Sequence, residues 1–139
     1  MTNERIFRGR PERDKKKWVY GRLSTYTIGF NDEVSLDIIV NDKGFHEVVS
    51  STVGQSIGRK ESKKKDIYEG DVLSVINPNG EKDRNCIVKW DEIGCCYPYR
   101  PEHGLGNFDV STIGWAMVMG FTFTKIGNIH DNPELAEVD

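Results

Sequence analysis

Cysteine is scarce in this chain, and its apolar runs are short. Three cysteines, Cys86, Cys95 and Cys96, are an odd number, and two adjacent ones cannot join without strain. No disulfide framework is expected, and the thiols read as reduced ones in a cytosol. No stretch approaches the roughly 20 apolar residues that span a bilayer, and Met1 to Arg10 is polar and basic rather than a secretory signal. The expectation is a cytoplasmic protein without a membrane partner. The Walker loop, G-x-S-x-G, H-E-x-x-H and the dinucleotide fingerprint are missing too. The histidines, His46, His103 and His130, and the cysteines show neither C-x2-C nor H-x3-H spacing. Neither metal nor cofactor is expected.

What remains is a polar but foldable chain. Its 139 residues are 37% hydrophobic with a mean hydropathy of -0.56, and 10% aromatic residues argue against disorder. That length suits one domain. The net charge of -3 conceals an asymmetry: residues 1–65 carry 14 Lys or Arg against 9 Asp or Glu, and residues 66–139 carry 5 against 13. Such a split favours contact between oppositely charged halves, within a chain or between copies. The acidic total weighs against a protein that coats nucleic acid.

The pattern along the chain is that of antiparallel strands. Asp71 to Ile76 is rich in β-branched residues, Asn77-Pro78-Asn79-Gly80 is turn chemistry, and Cys86, Val88 and Trp90 alternate with Ile87, Lys89 and Asp91, so Asp71 to Asp91 reads as a β-hairpin. Val34, Leu36, Ile38 and Val40 fall on one face, with only Ile39 breaking a pattern of one buried and one wet side. Asn41-Asp42-Lys43-Gly44 then turns into Phe45 to Val49 as a second hairpin. Ile6 and Phe7 begin a first strand, Arg8 to Lys17 reads as a solvated basic loop, and Trp18 to Leu23 is a second strand in which Gly21 marks a bulge or a close backbone approach. Trp115 to Phe123 is apolar with an ambiguous period, its flanks favouring strand. Glu92 to Asn107, with its prolines and glycines, is an irregular loop. Asp131 or Asn132 caps a short C-terminal helix begun by Pro133 and Glu134.

The densest positive run is Arg59-Lys60-Glu61-Ser62-Lys63-Lys64-Lys65. Its plain reading is a solvated loop. Its functional reading is a sequence-blind phosphate contact made by Arg59, Lys60, Lys63, Lys64 and Lys65, with Lys15, Lys16 and Lys17 as a second strip. Glu69 and Asp71 would share a face if extended, as an acid-base site requires, although Glu69-Gly70-Asp71 is also ordinary turn chemistry. Trp18, Tyr20, Trp90 and Trp115 sit in apolar or alternating runs and read as core rather than as base-stacking platforms.

Three stretches in order, FRGRPERDKKKWVYGRL (7–23), GQSIGRKESKKKDIYEGDVL (54–73) and IGNIHDNPELAEVD (126–139), resemble the YopX family of bacteriophage and prophage proteins. That resemblance implies a mainly β fold, a phage or prophage origin in a bacterial cytoplasm, and no catalytic residues to carry over. The Gly70-Asp71 turn with its hairpin is also similar to small barrels of the KOW type. The fold expected is therefore mainly β, with antiparallel sheets, a small SH3-like C-terminal barrel and short helices only. A single domain would hold an N-terminal β lobe (about 1–58), the basic loop (59–65) and a C-terminal β lobe (about 66–139). The function expected is that of a non-catalytic accessory protein that binds a host or phage protein and self-associates into a homo-oligomer. Nucleic-acid binding through the basic run and a carboxylate-based enzyme are the alternatives.

Overall fold

The computed structural model describes residues 5–29, 34–90, 97–98 and 112–136. The expected loop at Glu92 to Asn107, with Cys95, Cys96 and His103, falls almost wholly outside them. The elements in chain order are β1 (Phe7–Gly9), β2 (Val19–Ile28), β3 (Val34–Asn41), β4 (Gly44–Val48), β5 (Gly54–Lys60), β6 (Asp66–Tyr68), β7 (Asp71–Ile76), β8 (Cys86–Ile87), α1 (Ile113–Val118) and β9 (Thr122–Asn128), with 3-10 turns at Ser50–Thr52 and Pro133–Ala136. Every strand pairing assigned a direction is antiparallel. The chain divides into two compact units, Met1–Ser56 and Ile57–Asp139.

In the first unit the strands run in the order β4-β3-β2-β1, and β1 pairs on its other side with Gly54 and Gln55 at the start of β5. A tight connection sets the register of β3 and β4. Asn41 lies opposite Gly44 across a two-residue loop, Gly44 has a φ of 119° that only glycine takes without strain, and Asn41 Oδ1 accepts the Lys43 N–H at 2.9 Å. The sheet curls so far that the residues after β1 bond back onto its other edge: Pro11 bridges to Val48, and Val49 N–H donates to the Arg10 carbonyl at 2.8 Å. The inside of this half-barrel is narrow. A Cβ on Gly21 would collide with the Val40 carbonyl oxygen, and one on Gly9 would stand 3.0 Å from the Val48 side chain. The close approach expected at Gly21 is therefore real.

This curl reverses the expected sides of β3. Ile39, the residue that broke the alternation, is the fully buried one (0% exposed) and packs inside with Val48 (3%). Val34 is 54% exposed, and Leu36, Ile38 and Val40 are only half-buried on the outer face. Ile39 packs directly against Gly9 and Gly21, and because side chains alternate along a strand, the row of Leu36, Ile38 and Val40 faces out. The basic segment after β1 also differs from the solvated loop expected. Arg8 and Arg10 are 3% and 4% exposed, and their guanidinium carbons each lie 4.1 Å from the centre of the Trp18 ring, so planar cations stack on an aromatic face. Arg10 also donates to the Lys15 carbonyl at 2.6 Å.

The second unit buries its apolar residues. Ile67, Leu73, Val75, Val88, Ile113 and Phe123 are packed with Cys86 and Ala116 in one cluster. Burial of this kind stabilises a fold by roughly 1.5–3 kcal/mol per large side chain. The Asp71–Asp91 hairpin forms, with Val72 opposite Ile87 and Leu73 opposite Cys86, but its second strand is two residues long and Trp90 is 46% exposed. Cys86, Ile87 and Val88 are all buried rather than alternating. At the turn, Asn77 Oδ1 accepts from Asn79 and Glu81 N–H groups, and Gly80 takes a φ of 84°. Trp115 to Phe123 is split between two elements. Thr112 caps α1 by accepting from Trp115 N–H at 2.9 Å, Gly120 at φ 98° turns the chain, and β9 begins at Thr122 beside β7. Strand order is β8-β7-β9, an open sheet. The SH3-like closure expected here is not seen among the described residues, and the curled sheet is the N-terminal one. Among them, no helix is long and apolar enough to cross a membrane.

Candidate functional site

The basic run is a built turn rather than a loop. Arg59 and Lys60 are the last residues of β5, after which the chain reverses through Glu61 to Lys65 into β6. Glu61 N–H donates to the Lys65 carbonyl and Lys64 N–H to the Glu61 carbonyl, each at 2.9 Å. The Glu61 side chain folds under the turn. Its residue is 3% exposed, and its Oε2 accepts from Lys63 N–H at 2.7 Å and from the Ser62 hydroxyl at 3.3 Å. Lys64 holds a φ of 69°, a left-handed conformation that costs a non-glycine residue about 1 kcal/mol, which these bonds offset. Ser62 fastens the turn to β9: its N–H donates to the Phe123 carbonyl at 2.8 Å, and its hydroxyl lies 2.6 Å from that of Thr124.

The turn thereby presents Arg59, Lys60, Lys63, Lys64 and Lys65 together, all exposed. Lys60 stands 3.6 Å from the Asp66 carboxylate. The guanidinium of Arg59 lies on the backbone of α1, where a Cβ on Gly114 would be 2.8 Å from its Nε and Nη2. The next residue, Trp115, is 45% exposed, and its ring centre lies 6.5 Å from that of Phe121. Lys15, Lys16 and Lys17, in the first unit, are exposed around Asp14, which lies 3.9 Å from the Lys17 Nζ.

Glu69 and Asp71 do not converge on a site. Asp71 is fully buried. Its Oδ2 accepts from Tyr68 N–H at 2.8 Å and meets Lys125 Nζ at 3.1 Å, while that ammonium also donates to the Asp66 carbonyl at 2.7 Å. Gly70, at φ 92°, bonds Val88 and Ile129 through its N–H and carbonyl. Glu69 instead hydrogen-bonds the Tyr97 hydroxyl, and burial, followed by the charge of Glu69, pushes that phenol up to about 12. The turn joins strands. The C-terminal stretch has the same character: Asn128 Oδ1 accepts the N–H groups of His130 and Asp131, and Pro133–Ala136 forms a 3-10 turn following Asn132. Among the described residues, no three His, Cys, Asp or Glu side chains are grouped to hold a metal ion.

A second surface escaped the sequence reading. Residues opposite one another in antiparallel strands share a face, so the outer side of β2, β3 and β4 brings Tyr26 beside Leu36, Arg22 beside Val40 and Phe45, and Ile38 beside Glu47. Tyr20, Tyr26, Val34 and Phe45 are 46%, 48%, 54% and 72% exposed. The even spacing of Tyr20, Arg22 and Tyr26 was the available signal. At one margin of this face, Pro11, Glu12, Arg13, Phe45, His46 and Glu47 line a cleft of about 300 Å³.

A family model described as YopX protein matches residues 7–137. No curated protein matches the chain.

Proposed function

From the premise that this chain belongs to the YopX family, we propose that it is a non-catalytic phage or prophage accessory protein of the bacterial cytoplasm, acting by binding protein partners, first of all a second copy of itself. One observation carries this reading: the outer face of β2, β3 and β4 leaves Tyr20, Tyr26, Val34 and Phe45 about half exposed or more. With Leu36, Ile38 and Val40 half-buried between them, they give this face an apolar character of the kind that on soluble proteins often serves an interaction.

Charge favours a second copy as the occupant. The same face carries one exposed cation, Arg22, and one exposed anion, Glu47, on either side of the apolar row. A two-fold axis through the face sets Arg22 of each copy toward Glu47 of the other. The non-catalytic part rests on Asp71 and Glu69, whose carboxylates are engaged by Lys125 with Tyr68 and by Tyr97. A charge-reversal cycle followed by light scattering tests the reading. Arg22→Glu and Glu47→Arg should each shift the protein toward monomer, and the double variant should recover association. A wild type that stays monomeric at every concentration removes it.

A further inference from the structure

We propose that the turn at Arg59 to Lys65, together with Arg59 and Trp115 beside it, is a binding site for single-stranded nucleic acid. Three independent features converge there. The first is rigidity: Glu61, Ser62 and the backbone bonds to Lys65 fix the turn, and the contacts with Phe123 and Thr124 fasten it to β9. Lysines anchored on a fixed backbone lose less freedom on meeting a phosphate than those of a mobile one. The second is that the side chain buried beneath the turn, Glu61, is bonded to the turn itself, which leaves Lys63, Lys64 and Lys65 directed to solvent.

The third feature separates nucleic acid from other polyanions. The Arg59 guanidinium reaches α1, where a Cβ on Gly114 would be 2.8 Å from its Nε and Nη2, and the next residue of that helix, Trp115, is half exposed. Planar groups beside a row of cations are what an unpaired base and its phosphates meet together. A duplex keeps its bases stacked internally and offers only phosphates to the lysines, so the surface prefers single strands. Lys60 shares its charge with Asp66, which leaves about four cations for phosphates. Binding does not read sequence, because phosphate contacts and stacking accept any base.

The test is fluorescence anisotropy of the full chain with a labelled oligothymidylate, a duplex of equal length, and heparin as competitor, over a series of salt concentrations. The wild type should bind the single strand more tightly than the duplex, with log affinity falling against log salt at a slope of roughly -3 for four phosphates. Lys63→Ala, Lys64→Ala and Lys65→Ala combined should flatten that slope to about -1. Trp115→Ala should lower single-strand affinity about 10-fold and leave the slope unchanged, and Trp115→Phe should restore most of it. Absence of binding at low salt overturns the proposal. So does a triple variant that binds like wild type, or equal affinity for strand, duplex and heparin with Trp115→Ala indistinguishable from wild type.

Discussion

The two units each expose large apolar side chains, among them Tyr26 and Phe45 in the first and Trp115 and Val118 in the second, but they differ in how much apolar interior they enclose. In the second, Ile67, Leu73, Val75, Ile113 and Phe123 are at most 2% exposed, and its exposed turns are pinned by side chains such as Glu61 and Asn77. In the first, the buried hydrophobic side chains among the described residues are Ile39 and Val48, while Tyr20, Tyr26, Val34 and Phe45 are about half exposed or more. The difference separates two tasks. The second unit holds itself together by burial, whereas the first has a small, glycine-lined interior and turns an apolar row of β2, β3 and β4 outward, the face proposed above to meet a second copy.

The largest contrast should come from truncating one aromatic in each unit. Phe123→Ala is expected to cost about 3–5 kcal/mol through lost burial and the cavity left behind. Phe45→Ala should change the stability of the monomer by less than about 0.5 kcal/mol, because its ring is 72% exposed. Urea denaturation of both variants at low concentration checks this, and equal losses would erase the distinction. Somewhat smaller is the effect of Lys125→Met, which leaves the buried Asp71 carboxylate without its cation. A loss of about 3 kcal/mol, the lower end for a broken buried pair, is expected because Lys125 is partly exposed. In the first unit, Gly21→Ala drives a methyl group into the Val40 carbonyl and should cost roughly 1–3 kcal/mol, read as early loss of near-UV signal from Trp18.

The smallest effect expected is one of pH. Tyr97 titrates near 12 in the folded chain, above its ordinary value of 10.0. The unfolded chain therefore releases this proton first, so the contribution is complete below pH 10 and fades as pH rises toward 12. Tyr97→Phe should flatten that part of the alkaline stability curve, as followed by denaturant midpoint against pH.

These contrasts also explain what the sequence could and could not convey. Turn chemistry is local, so the hairpins at Asn41 to Gly44 and Asn77 to Gly80 were legible, as were the close approach at Gly21 and the short helical segment begun by Pro133, which forms as a 3-10 turn. Which face of β3 lies inside is not local. Alternation marked Val34, Leu36, Ile38 and Val40 as one set but did not say that Gly9 and Gly21, from other strands, would take Ile39 and Val48 against them on the other side. The five cations at 59–65 were visible as a run. That they form a fixed turn was not, since it depends on Ser62 meeting Phe123 and Thr124, about 60 residues away. The pairing of Arg59 with Gly114 is equally non-local. The YopX resemblance added the family without supplying a site.

The claim that the outer face of β2, β3 and β4 is covered by a second copy is tested most directly by sedimentation equilibrium of the wild type and Tyr26→Lys over the same concentration range. Tyr26 is half exposed on that face and opposite Leu36, so a lysine there keeps the strand and introduces a charge that each copy would have to bury. The account predicts a concentration-dependent dimer for the wild type and a monomer for Tyr26→Lys, with unchanged circular dichroism. Identical sedimentation of the two proteins, whether both monomeric or both dimeric, would contradict it.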